Sequence, residues 1–390
     1  MVKKIGIFLG GLLFAGVIYL FFFAAHRADL DKNVHEGIDV SQVSPEVVQF
    51  HEQIYIADLH ADNLLWDRDP LTRLDHGHVD IPRLIEGNIC IQVFDAVIKM
   101  PVGHNYYETK DSWDQITFLA IANRWPVRTW FSLAERALYQ SEILHNAEIG
   151  SQGQLEIIRS SNQLEQFLED RETDPPKVGG ILSIEGLHAL EGDIQNLQHF
   201  YHAGYRIMGL VHFFDNKLGG SSGGVTKAGI TEFGRDVVEE MDRMDIIIDL
   251  AHASPKLIID VLEITDRPVV VSHVGVQGTV DIPRNLSDSE IRAIADAGGL
   301  IGIGFWDDVV GDLRIESIVS AIQHAVRIGG IDHIGLGSDF DGATHILFDA
   351  SEIVVLTDAL LKAGFTKDEV AKIMGGNQIR FLMENLPQGN

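Results

Sequence analysis

The residues with chemistry to offer are histidines and acids placed at the ends of apolar runs. His60 and Asp62 close the run YIADLH and lie two apart, so at a strand end both side chains can face one side. Glu185 follows GGILSI, His212 ends GLVH, His252 ends IDLAH, His273 ends VVVSH, and Asp339 and Asp341 follow HIGLGS. A carboxylate such as Glu185 at the end of a buried run needs a partner or a cation, because burying it alone costs several kcal/mol. Three imidazoles (His60, His252, His273) with two carboxylates (Asp62, Glu185) suit Zn²⁺ or a similar borderline cation better than Ca²⁺, which prefers oxygen shells. One carboxylate shared by two ions lets five residues serve both and leaves room for a bridging water, which such a pair activates strongly. Each signal alone is weak. His-x-Asp also ends ordinary strands, and a histidine after an apolar run is often a hydrogen-bonded core residue.

What could gather these residues is a recurring element. Eight runs rich in Ile, Val and Leu occupy residues 55–60, 89–98, 178–186, 205–213, 245–253, 268–275, 299–306 and 333–342. Each reads as a short buried strand. Amphipathic stretches at 232–244, 254–264, 286–298 and 313–329 separate the later ones, with Ser254 and Ser287 at capping positions. The rhythm predicts parallel βαβ units closed into an α/β (β/α)8 TIM-type barrel, whose active site sits at the carboxyl ends of the strands. Six of the eight ends carry His, Asp or Glu and would converge on one mouth. Residues 100–177 break the rhythm with helical stretches around 112–146 and 162–170, and are expected to form a helical insertion over one end of the barrel.

The 390 residues carry 57 acidic and 30 basic side chains, a formal net charge of −27. That balance repels a phosphate backbone and excludes nucleic acid as an expected partner. Cys90 is the single cysteine, so no intramolecular disulfide and no cysteine-based zinc site can form, and its setting in ICIQVF reads as core. Lys3 and Lys4 precede an uncharged apolar run from Ile5 to Ala25, long enough for a transmembrane helix. With no clean A-x-A after it, an uncleaved anchor is expected rather than a cleaved signal peptide. The lysines would keep the N-terminus cytoplasmic and place the catalytic part in the periplasm or outside the cell. The expected organisation is 1–28 as stub and anchor, 29–47 as connector and 48–387 as the barrel.

The segments HADNLLW, LSIEGLHAL, GLVHFFDN, IDLAHAS, VSHVG with RNLSD, and GSDFDG resemble, in order and spacing, the motif series of the membrane (renal) dipeptidases, a branch of the amidohydrolase-type barrels. The likeness runs from about Ile54 to the end. It implies a metallopeptidase with two Zn²⁺ per chain, hydrolysing dipeptides through a metal-bridging hydroxide. By that resemblance His60 and Asp62 would bind one zinc, His252 and His273 the other, and Glu185 both. His212 would bind and polarise the scissile carbonyl, Arg284 would pair with the dipeptide's free carboxylate, and Asp339 would be the acid/base. The residue types suit these roles. Alternatives stay open at three positions: Asp341 in place of Asp339, Arg284 paired with Asp288, and a structural His212. The resemblance also admits a homodimer. The loop HFFDNKLGGSSGG and the apolar N-terminus in place of a C-terminal lipid anchor depart from the mammalian pattern. Rival functions are a related amidohydrolase acting on N-acyl amino acids or β-lactams, and a catalytically inactive membrane-tethered binding protein.

Overall fold

The computed structural model describes residues 16, 19–171 and 176–389. Among them, eight parallel strands close into a ring: β1 (Ile56–Ala61), β2 (Ile89–Val97), β3 (Val178–Glu185), β4 (Tyr205–Gly209), β5 (Ile247–Asp249), β6 (Val270–Val274), β7 (Leu300–Ile303) and β8 (Ile334–Leu336). Each pairs with the next in order, and Leu336 of β8 pairs with Asp58 of β1 to close the circle. The fold is therefore an α/β barrel of the TIM type, and every run expected to be a strand contains one.

The strands form where they do because Ile, Val and Leu can be buried on both faces of a parallel sheet. Phe94, Ile184, Met208 and Ile248 join the surrounding helices in one apolar cluster. Leu59, Ile181, Ile207 and Leu300 join Phe381 and Leu382 of the C-terminal helix Asn377–Asn385 in another. Each fully buried side chain of this kind contributes roughly 1.5–3 kcal/mol. Caps fix the outer helices. Ser254 accepts from Leu257 N, and Ser287 with Glu290 forms a capping box. Cys90 lies fully buried with its thiol pushed up to about 11 by that burial, as a packed residue and not a nucleophile.

Between β2 and β3 the chain leaves the ring through helices Gln115–Ala122, Arg128–Phe131, Leu133–Gly150 and Ser161–Arg171 and a short strand, Leu155–Ile157, which pairs with the start of β3. The N-terminal connector is folded against the barrel. Helix Ala25–Lys32 leads into Val34–His35, which pairs with His345–Ile346 beyond β8. The apolar run expected to span a membrane falls largely outside the described residues, and among those described no helix is long and apolar enough to cross one.

Candidate active site

The ends of the strands set the geometry. Gly337 follows β8, and a Cβ there would stand 1.8 Å from Ser272 O; only glycine lets this strand end close on β6. Two residues downstream Asp339 adopts φ 60°, and beyond β5 His252 adopts φ 62°, left-handed values that cost non-glycine residues energy and concentrate at functional sites.

These turns aim the side chains at one point. Glu185 Oε1 lies 3.0 Å from His252 Nε2, 3.4 Å from His273 Nε2 and 3.9 Å from His60 Nε2, while Oε2 lies 3.1 Å from His212 Nε2. His60 Nε2 is 3.3 Å from Asp62 Oδ1 and 3.8 Å from Asp339 Oδ1. All these groups are buried. His60, Asp62, Glu185, His252 and His273 thus share one pocket, with His212, Arg284 and Asp339 beside them. Among the described residues three ligand-like triples form, His60–Glu185–His273, Glu185–His212–His252 and His60–Asp62–Asp339. Glu185 belongs to two of them, the position of a shared ligand.

The chemistry of this donor set fits cations. His252 and His273 point their Nε2 atoms at one another across 3.2 Å, and His60 Nε2 and Asp62 Oδ1 are buried without a hydrogen-bond partner. Burial, with Arg284 and neighbouring imidazoles, holds His252 well below the usual histidine range; burial, then His60 and Arg284, does so for His273. Both are therefore neutral, the form that ligates metal. Burial and the charge of Asp62 push Glu185 well above the usual carboxylate range, and burial does the same to Asp339 against the opposing pull of His60. Burial alone would depress His60, but Asp62, Asp95 and Glu185 outweigh it and hold its pKa well up. The site attracts positive charge.

Some supporting residues escaped the sequence reading. Asp95 in β2 places Oδ2 3.5 Å from His60 Nδ1, near enough for charge attraction, and Ser272 Oγ lies 2.9 Å from His273 Nδ1 and 3.5 Å from His60 Nδ1, so both rings turn Nε2 toward the pocket. Asp249 accepts from Ala251 N and Ser272 N. Asp58 accepts from Ser338 N and Oγ, fixing the turn before Asp339. The signal was present: Asp58, Asp95 and Asp249 are acids inside otherwise apolar runs. Trp306 Nε1 donates to Tyr106 OH at 3.0 Å on the pocket wall. No sequence pattern marks that pair.

The alternatives left open separate by geometry. Asp341 is tied to Arg68 and accepts from His78 N at 2.7 Å, whereas Asp339 faces the cluster. Asp288 pairs with His324 at 2.6 Å and leaves Arg284 alone. Arg284 is 3% exposed, donates to His273 O at 2.7 Å, stands 5.7 Å from the Trp306 ring centre, and has Nε and Nη1 without partners. His212 sits beside Glu185 rather than in the core. Asp215 and Asn216 stitch their own loop, Asp215 through Ser221 N and Asn216 through Leu218 N. A cavity of about 780 Å³ contains Asp62, Glu185, His212, His252, His273, Arg284 and Asp339.

The loop after β8 carries a pH dependence of its own. His78 Nδ1 accepts from Asp341 N at 2.9 Å, and burial pushes the His78 imidazole down to about 4. Its unfolded value is about 6.5. The unfolded chain therefore binds more protons as pH drops through that window, and stability falls with it, by about 2 kcal/mol between pH 7 and 5 from this residue. His78→Asn offers Oδ1 in place of Nδ1. Urea unfolding in chelator should show the variant losing about 2 kcal/mol less than wild type over that interval. Equal losses in both proteins would remove His78 from the account.

The sequence profile described as membrane dipeptidase (peptidase family M19) matches residues 45–387. A dipeptidase, tcpJ, from Claviceps purpurea is 29% identical over 334 residues, 82% of this chain and 72% of that protein. Among solved structures, dipeptidase AC, a metallopeptidase of family M19, has 25% identity and a TM-score of 0.71 over 86% of this chain and 99% of that one. A metallopeptidase from Rhodobacter sphaeroides, solved with a phosphinate mimic of the dipeptide L-Ala-D-Ala, shares the fold at 24% identity and a TM-score of 0.68, over 85% and 99%.

Proposed function

Because the chain belongs to the membrane dipeptidase family, peptidase family M19, and is a dipeptidase-type metallopeptidase, we propose that it hydrolyses dipeptides at a binuclear zinc site in this cavity. The observation that carries the reading is Glu185, whose carboxylate reaches three imidazoles with one oxygen and His212 with the other. His60 and Asp62 would hold one ion, His252 and His273 the second, and Glu185 both. Bound there, the pair supplies Lewis acidity and a water ionised near neutral pH.

The remaining steps belong to the protein's own groups. His212 is held neutral by burial, so its imidazole N–H can donate to the scissile carbonyl and stabilise the charge that develops on it. Asp339 accepts the proton of the attacking water and returns it to the leaving amine. Arg284 presents the free edge of its guanidinium to the dipeptide carboxylate, which a planar fork grips bidentately. That contact limits the substrate to very short peptides.

Replacing Arg284 by methionine keeps the volume and removes the fork. A lost charged hydrogen-bond pair is worth about 1.5–3 kcal/mol, so KM for a free dipeptide should rise on the order of 10- to 100-fold with a smaller change in kcat. C-terminally amidated dipeptides should be poor substrates for the wild type and indifferent to the change. Wild-type activity that survives amidation would favour a related amidohydrolase instead. The direct test is a dipeptide panel with and without chelator.

We also propose that the N-terminal apolar run anchors the chain through the part that precedes Ala24 and Ala25, which belong to the cavity wall, with the barrel outside the cytoplasm. Two lysines before the run and none within it support that orientation. Membrane fractionation with protease access from the outer face tests it. A homodimer belongs to the same proposal, and sedimentation of the detergent-solubilised chain decides it.

A further inference from the structure

Helix Ala25–Lys32 lies upstream of residues 45–387, the part of the chain that matches the family. It nevertheless forms part of the cavity. Ala24, Ala25 and Ala28, with the exposed Lys32 at the helix end, line it together with Leu65, Trp66 and Met100. Ala28 packs against the Leu65–Trp66 cluster, and the residues just before the helix contact helix Gln115–Ala122. Ala24 and Ala28 are four apart, so they share a helix face, and their small side chains leave the room that a larger residue would fill.

The wall is fastened rather than frayed. Asp29, 3% exposed, is paired with Arg68, and Arg68 also holds Asp341. Asn33 donates to Asp29 at 2.8 Å and accepts from Ala343 N at 2.9 Å. Val34 and His35 continue as a strand against His345 and Ile346. Each tie ends on the segment that carries Asp339.

The direction in which a substrate lies follows from the two ends of the site. Arg284, buried with an unpartnered edge in this same cavity, stands on the His252–His273 side, its Nη2 3.3 Å from His252 Nε2. Leu65 and Trp66 follow Asp62, and Trp66 Nε1 donates to Asp341 O at 2.8 Å, which puts the apolar wall on the His60–Asp62–Asp339 side. A dipeptide whose carboxylate meets Arg284 turns its amino-terminal residue toward that wall. At about 780 Å³ the cavity is in the upper part of the roughly 300–1,000 Å³ range of small-molecule pockets, so space remains beside a dipeptide of small residues.

We infer that helix Ala25–Lys32 is the specificity wall of this active site and selects dipeptides whose N-terminal residue bears a large apolar side chain. The inference rests on the dipeptidase reading above. Its test uses the full, metal-loaded chain in detergent with Phe-Gly and Gly-Gly as substrates. Wild type should show kcat/KM at least tenfold higher for Phe-Gly. Ala28→Phe should lower that ratio at least tenfold, and Leu30→Phe, on the exposed side of the same helix, should leave the ratio where it was. Phosphinate analogues of the two dipeptides, titrated by calorimetry, should show the same loss of preference as an affinity ratio. Ala28→Leu serves if the phenylalanine variant does not fold, with a smaller drop in the ratio. A ratio unchanged by Ala28→Phe or Ala28→Leu, or lowered equally by Leu30→Phe, overturns the inference while the dipeptidase reading stands. A wild-type chain that cleaves neither dipeptide overturns both.

Discussion

Glu185→Gln is expected to empty the site of metal and remove activity while leaving the fold intact. The substitution keeps the shape of the side chain and deletes one negative charge. That charge is the one shared by both halves of the cluster, within 3.0–3.9 Å of three ring nitrogens. At an effective dielectric of about 20 a unit charge at ~4 Å contributes about 4 kcal/mol to holding a cation, roughly three orders of magnitude in affinity. kcat/KM should therefore fall on the order of 10³-fold or more at limiting zinc. The metal-free protein should behave in the opposite sense. Burial and Asp62 already raise the pKa of Glu185, which means its charge is unfavourable in the folded chain without cations. Thermal melts in chelator should show the glutamine variant as stable as wild type or more so. Full zinc content with normal turnover in the variant would remove Glu185 from the centre of the mechanism.

Asp339→Asn should separate proton transfer from metal binding. Asparagine tolerates the left-handed backbone at this position, so φ 60° adds little strain. It cannot accept the proton of the attacking water. A positioned acid/base residue contributes about 10²- to 10⁴-fold, and kcat should fall by that factor with KM changed little. Metal content should match wild type and the melting temperature should not fall, which a merely structural carboxylate would not predict. Asp341→Asn should do the reverse. Asp341 holds Arg68 and the backbone of His78. Its loss should lower the melting temperature and loosen the loop, with catalysis affected through position alone. If Asp339→Asn turns over normally and Asp341→Asn does not, the two assignments exchange.

The barrel was legible in the sequence because parallel strands buried on both faces must be nearly continuous runs of Ile, Val and Leu. The cluster was legible because polar residues that end such runs are carried to one rim when the ring closes. His60, Asp62, Glu185, His212, His252, His273 and Asp339 follow that rule. What supports them was not. Ser272 meets His60 across 212 positions, and Arg68 meets Asp341 across 273. Such pairs depend on which strand neighbours which, and no local pattern encodes that. Asp95 differs. A carboxylate in the middle of ICIQVFDAVI has to be accounted for in any buried strand, because a charge buried there without a partner costs several kcal/mol. The N-terminal helix was hidden by its composition: its first residues read as the end of the apolar anchor and its last as a polar connector, and the cavity lining with the buried Asp29–Arg68 pair shows that it is part of the wall.

The central claim is that one carboxylate and four ligands from distant strands hold two cations. Anomalous diffraction at the zinc edge, on crystals of the zinc-loaded protein, tests it most directly. The account predicts two peaks, one on each side of the Glu185 carboxylate, with His60 and Asp62 on the first and His252 and His273 on the second. A single peak, or none, in protein that cleaves dipeptides at full rate would contradict it.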